Sequence, residues 1–110
     1  MNLAQQSCVP CSKGDSGLTP SEALTLLKDL SGWNLGHDEK WIEREFKFKN
    51  FQQALSFLNE AGEICEQLGH HADFGIGWGY VKATIQTHSI GGLHINDFIL
   101  AARINELINC

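Results

Sequence analysis

The chain has 110 residues, 43% of them hydrophobic, which suits one globular domain with one core. The formal charge is −5 with eight Lys and Arg, and the densest basic stretch, Arg44, Lys47 and Lys49, is interleaved with Glu43 and Glu45, which argues against autonomous nucleic-acid binding. No run approaches the ~18 apolar residues of a membrane span, and MNLAQQSCVPC lacks the basic and apolar regions of a signal peptide, so a soluble, cytoplasmic protein with no nucleic-acid or membrane partner is expected.

Residues 1–17 read as a flexible leader carrying Cys8-Val-Pro-Cys11, and residues 18–110 as a single domain. With Cys65 inside an apolar helical stripe and Cys110 the final residue, the four cysteines do not form a secreted disulfide framework. The CxxC pair has the spacing of half a zinc site or of a redox pair. Without a second ligand pair or a preceding strand, it reads as two exposed thiols with little role in folding.

The stretch LTPSEALTLLKDL places Thr19 at an N-cap, Pro20 at the first helical position and Glu22 where it completes a capping box. Ala23, Leu26, Leu27 and Leu30 form one buried face, and Gly32 is expected to end the helix. A short strand is expected at 33–35, then a loop with an exposed His37. WIEREFKFK alternates with period two, placing Ile42, Phe46 and Phe48 on one face and Glu43, Glu45 and Lys47 on the other. Arg44 interrupts the apolar face and is expected to snorkel.

The next helix is expected from the cap Asn50 to the left-handed terminator Gly69, with Phe51, Ala54, Leu55, Leu58, Ala61, Cys65 and Leu68 as its stripe. Glu66 stands one turn before His70. From Phe74 the pattern is strand-like, with Val81, Ala83 and Ile85 on one face. Gly75, Gly77 and Gly79 share that parity, so a break into two short strands is expected near 75–79. The final helix, LHINDFILAARINELI, offers Ile95, Phe98, Ile99, Ala102 and Leu107 as inward residues.

The histidines of QLGHHADFGIGWGYVKATIQTH carry the chemistry. A phosphate cradle needs glycines in a turn feeding a helix N-terminus, and these alternate in a strand. A zinc site from His70, His71 and His88 lacks a clear fourth ligand. Adjacent histidines standing alone would ordinarily be solvated.

They stand within a larger pattern: Glu66-x-x-x-His70-His71, Thr87-His88, then Gly92-Leu93-x-x-x-Asp97-x-x-Leu100-Ala101, with Gly32-Trp33 and FKFKNF at 46–51 upstream. This pattern resembles the pterin-4a-carbinolamine dehydratase family from about Leu18 onward, and the CxxC looks like the leader of many microbial members. The chain departs from the family at Ala72, Gly79 and His94, where proline, asparagine and Ser or Thr are usual. The resemblance implies an α+β fold of two layers, a four-stranded antiparallel sheet with three helices on one face, in the order α-β-β-α-β-β-α. It also implies dehydration of a 4a-hydroxytetrahydropterin to quinonoid dihydropterin, recycling the pterin of aromatic amino acid hydroxylases such as phenylalanine hydroxylase.

By the same resemblance His70 and His88 are the acid and base groups, and His71 belongs to the catalytic set while mainly binding the pterin. Glu66 and Asp97 support them, and Trp33 forms a pocket wall. Imidazole, with an ordinary pKa near ~6.5, can give or take a proton at neutral pH. No metal and no other cofactor is expected, and a homodimer or homotetramer is implied. The alternative is a non-catalytic accessory, dimerisation or coactivator protein on the same fold.

Overall fold

Helix α1 starts where its first backbone donors are satisfied. Thr19 Oγ1 accepts from Glu22 N at 3.2 Å, Glu22 Oε1 accepts from Thr19 N at 2.9 Å, and Pro20 occupies the first helical position. The computed structural model describes residues 3–6, 8 and 17–108. In it α1 spans Pro20–Leu27 and ends before the expected Gly32. Asp29 and Leu30 bond to the carbonyls of Leu26 and Leu27, three residues back, so the final turn tightens out of α geometry. Leu30 still reaches the core at 5% exposure.

The strands are β1 (Asn34–Leu35), β2 (Ile42–Lys47), β3 (Asp73–Gly77) and β4 (Tyr80–Ile85). They form one antiparallel sheet in the order β1-β2-β4-β3. With α2 (Phe51–Leu68) and α3 (Ile95–Glu106), the main elements follow the expected α-β-β-α-β-β-α order. Ile42, Phe46, Val81, Ala83 and Ile85 are buried in one cluster with Ala54, Ala61 and Phe98 of the helices, while Glu45, Lys47 and Lys82 remain exposed on the opposite sheet face. The sheet is therefore covered on one side and open on the other.

The glycine-rich stretch differs from the simple alternation. Gly77 pairs with Tyr80 across the two-residue turn Trp78-Gly79, which inverts the facing parity between the strands. Phe74 and Ile76 thus lie opposite Ala83 and Val81 toward the core, whereas Gly75 and Gly77 lie opposite Lys82 and Tyr80 on the open face. Gly79 meets the turn's demand with φ +81°, and its carbonyl accepts from Phe48 N at 2.8 Å, tying the hairpin to the end of β2.

Arg44 points inward on β2 and is more than a snorkelling stem. Its Nη1 donates to Ser31 O at 2.6 Å and to Asn105 Oδ1 at 2.9 Å, and its guanidinium lies 4.6 Å from the Phe46 ring centroid. The expected α2 stripe is also shifted. Ala54, Phe57, Ala61 and Cys65 are buried, while Phe51 and Leu55 remain exposed at 44% and 40%. The helix carries two overlapping apolar arcs, and the sheet takes the one centred on Phe57, whose ring centroid lies 4.6 Å from that of Phe46.

Helix α3 is buried nearly all round: Asn96 through Ala102, Ile104 and Asn105 are all enclosed, while the expected inward residues Ile95 and Leu107 are only half-buried. Part of this cover comes from the leader. Leu3–Gln5 forms a 3-10 turn, Leu3 is 3% exposed, Arg103 Nη2 donates to Gln6 O at 3.0 Å, and the Cys8 thiol lies 3.9 Å from Asn96 O. Cys11 of the expected pair lies outside the described residues.

Asn50 Oδ1 opens α2 by accepting from Gln53 N at 2.8 Å, and Gly69 closes it at φ +67°, with His70 N donating back to Cys65 O at 3.2 Å. A Cβ at Gly69 would meet nothing within 4 Å. The cost of Gly69→Ala is then purely conformational, about 1 kcal/mol, and should appear as a lower urea midpoint with an unchanged slope. Leu3→Ala should cost about 2–3 kcal/mol in the same measurement, since it opens a cavity over α3.

Candidate active site

The left-handed residue Gly69 sends His70 and His71 in different directions. His70 turns toward α3, where its Nε2–H donates to Asp97 Oδ1 at 2.5 Å. His71 folds back on α2, its Nε2 hydrogen-bonded to the Glu66 carboxylate. Glu66, one turn before His70 in sequence, places its carboxylate at the helix end that presents the histidines, and because the helix stops at Leu68 it meets His71 rather than His70. Glu66 serves His71, and Asp97 serves His70.

Asp97 is fully buried. A carboxylate taken out of water is costly unless donors replace the hydration it loses. Besides His70, its Oδ2 accepts from Thr87 Oγ1 at 2.9 Å and from His94 N at 2.8 Å. The first contact holds the segment ahead of His88, and the second closes the N-terminus of α3. His94 answers reciprocally, its Nδ1 accepting from Asn96 N at 3.2 Å, so imidazole performs the capping expected of Ser or Thr. One side chain thereby ties together the exit of α2, the end of β4 and the start of α3.

His88 sits in a short 3-10 turn, His88–Ile90, whose base is clamped by backbone bonds between Thr87 and Gly92. Its ring is largely exposed, with Nε2 3.8 Å from Asp73 Oδ2 at the start of β3, an ion-pair distance too long for a hydrogen bond. His71 is also open to solvent, whereas the His70 side chain is only 14% exposed. The three histidines thus present one enclosed and two accessible rings.

Trp33 does not join them. Its indole is 4% exposed, donates Nε1–H to Asn105 Oδ1 at 2.8 Å and lies edge-on to Phe46. Asn105 is eight residues beyond Asp97, about 12 Å along α3. The hollow that Trp33 borders, about 580 Å³, is completed by Leu24, Leu27 and Leu35 rather than by histidines. The indole serves the core at the α1 end of the sheet.

Among the described residues, no group of three or more His, Cys, Asp or Glu side chains is arranged to hold a metal ion. Cys8 approaches the site from the leader side. Burial pushes its thiol pKa up, the negative charge of Asp97 adds to the rise, and Arg103 partly opposes it. Sequence reasoning assigned no role to Thr87 and missed Asp73. Thr87 follows the inward parity of Ile85, and Asp73 follows the outward parity of the strand it opens, but neither pattern names a partner.

The profile of the family described as Pterin 4 alpha carbinolamine dehydratase matches residues 16–107. The chain belongs to this family. A Methylococcus capsulatus relative, which bears pterin-4-alpha-carbinolamine dehydratase as a provisional name, is 47% identical over 96% of this chain and 93% of its own. Pterin-4-alpha-carbinolamine dehydratase 2, mitochondrial, of Arabidopsis thaliana is 43% identical over 96% of this chain and 59% of its own length. Among solved structures, the transcriptional coactivator/pterin dehydratase of Brucella melitensis superimposes with a TM-score of 0.79 at 34% identity, covering 84% of this chain and 98% of that one. A pterin dehydratase-like RuBisCO assembly factor of the alpha-carboxysome shares the fold, with a TM-score of 0.61 at 23% identity over 69% of this chain and 88% of that one.

In this member of the pterin-4a-carbinolamine dehydratase family, Asp97→Ala strands three donors around a buried site. The expected loss is about 3 kcal/mol of stability, with a smaller loss for Asp97→Asn, which keeps an acceptor; thermal unfolding of the two variants checks the order.

Proposed function

We propose that the chain dehydrates 4a-hydroxytetrahydropterin to quinonoid dihydropterin and water by histidine acid/base catalysis. The observation that carries this reading is the His70–Asp97 pair, a nearly enclosed imidazole fixed by a fully buried carboxylate that also holds the segment leading to His88. The reaction is redox-neutral: the C4a–O bond breaks as a proton reaches the departing hydroxyl, and a second proton leaves the pterin ring.

With its Nε2–H committed to Asp97, His70 has Nδ1 with which to exchange a proton with substrate. His88, on a separate segment, serves as the complementary group. His71, steadied by Glu66 and open to solvent, contacts the pterin. Family membership supports the substrate class.

The same reading makes the protein a cytoplasmic partner in pterin recycling for phenylalanine hydroxylase. No described helix is long and apolar enough to cross a membrane. It also assembles two or four copies, for which the exposed Phe51 and Leu55 of α2 offer apolar surface. The second reading is a non-catalytic accessory or coactivator role, favoured by the coactivator designation of the Brucella melitensis structure.

Generating the hydroxypterin in situ and following its loss by absorbance separates the two. Wild type should accelerate dehydration, and His70→Ala and His88→Ala should each lose about 10²–10⁴-fold. Unchanged turnover in both variants would remove the catalytic assignment, and no acceleration by wild type would favour the accessory role.

A further inference from the structure

Two of the three histidines have carboxylate partners within the family-like pattern, Asp97 for His70 and Glu66 for His71. The third has one outside it. Asp73 opens β3, where its backbone is paired with Thr84 of β4, and its Oδ2 lies 3.8 Å from His88 Nε2. His88 follows Thr87, whose hydroxyl is fixed by Asp97, so its backbone is anchored by the buried network while its ring projects into solvent.

We infer that Asp73 is a positioning residue for the His88 imidazole, the inference resting on the dehydratase reading above. An exposed ring on a short turn samples several rotamers, and a proton-transfer group is effective only in those that aim at the substrate. A carboxylate attached to a paired strand provides a fixed point of charge beside Nε2, favouring the orientation in which that nitrogen faces Asp73 and Nδ1 faces away. With side-chain exposures of 71% and 75%, the pair contributes little to folding, which separates its effect on the ring from an effect on stability. Asp73 also belongs to the segment that carries His70 and His71. The entrance of β3 is therefore joined to the exit of β4 twice, directly through Asp73 and His88 at the surface, and through buried Asp97 of α3, which holds both His70 and Thr87.

The test combines kinetics with nitrogen-15 spectra of the histidine rings. Asp73→Asn should lower kcat about three- to ten-fold with KM changed less than two-fold and with an unchanged melting temperature, and Asp73→Glu should recover part of the loss. In a His88→Ala background, Asp73→Asn should have no further effect. The His88 ring signals should move in Asp73→Asn and those of His71 should stay. An equal kcat loss with and without His88, or His88 signals that do not respond to Asp73→Asn, would overturn the assignment. If wild type fails to accelerate dehydration while the His88 signals still move, the reaction is wrong and the pair stands.

Discussion

Asp97 is removed from water on a helix that is itself almost wholly enclosed, and such a carboxylate must find its donors inside the protein. It finds them in three places: the imidazole that follows α2, the hydroxyl that follows β4, and the backbone at its own helix entrance. Each donor fixes a different segment. The carboxylate supports a helix end and a catalytic candidate at once, so folding and the geometry of the site are satisfied by the same bonds. The other two histidines, paired at the surface, hang on the frame that this buried network supplies.

The elements governed by local chemistry followed directly from the residues. Thr19, Pro20 and Glu22 start α1, and Asn50 and Gly69 bracket α2, because caps act over three or four residues and need no knowledge of the rest of the fold. Where two local readings competed, tertiary packing decided. α2 carries enough apolar side chains to bury either of two arcs, and the rings of Phe46 and Phe48 pack against Phe57 while Phe51 and Leu55 stay exposed. The glycines of β3 changed faces for a similar reason: alternation fixes parity within a strand, but a two-residue turn resets it.

The site was readable as a set of residue types more than as a set of pairs. His70, His71, His88, Glu66 and Asp97 all take part in histidine–carboxylate contacts, yet the residues alone did not say which carboxylate serves which histidine, and Asp73 was not recognised. Pairing depends on side-chain direction after a helix terminates, which spacing along the chain does not encode. Trp33 shows the converse: a residue with the right chemistry for a ligand wall is bound instead to Asn105, and Arg44 shares the same acceptor, so that amide joins the turn after α1 to the far end of α3. The departures at Gly79 and His94 are absorbed, one by a turn that uses positive φ and the other by a ring nitrogen that caps a helix.

The cover that Leu3, Gln6 and Cys8 lay along α3 comes from residues upstream of the span that the family profile matches, which begins at residue 16. Cutting the chain back to that shared boundary would strip apolar surface bare beside the helix that bears Asp97, and would leave the Arg103 guanidinium without the carbonyl it grips. The transplantable unit of this protein is therefore longer than its family signature, and anything fused ahead of it has to leave those first turns room to lie down.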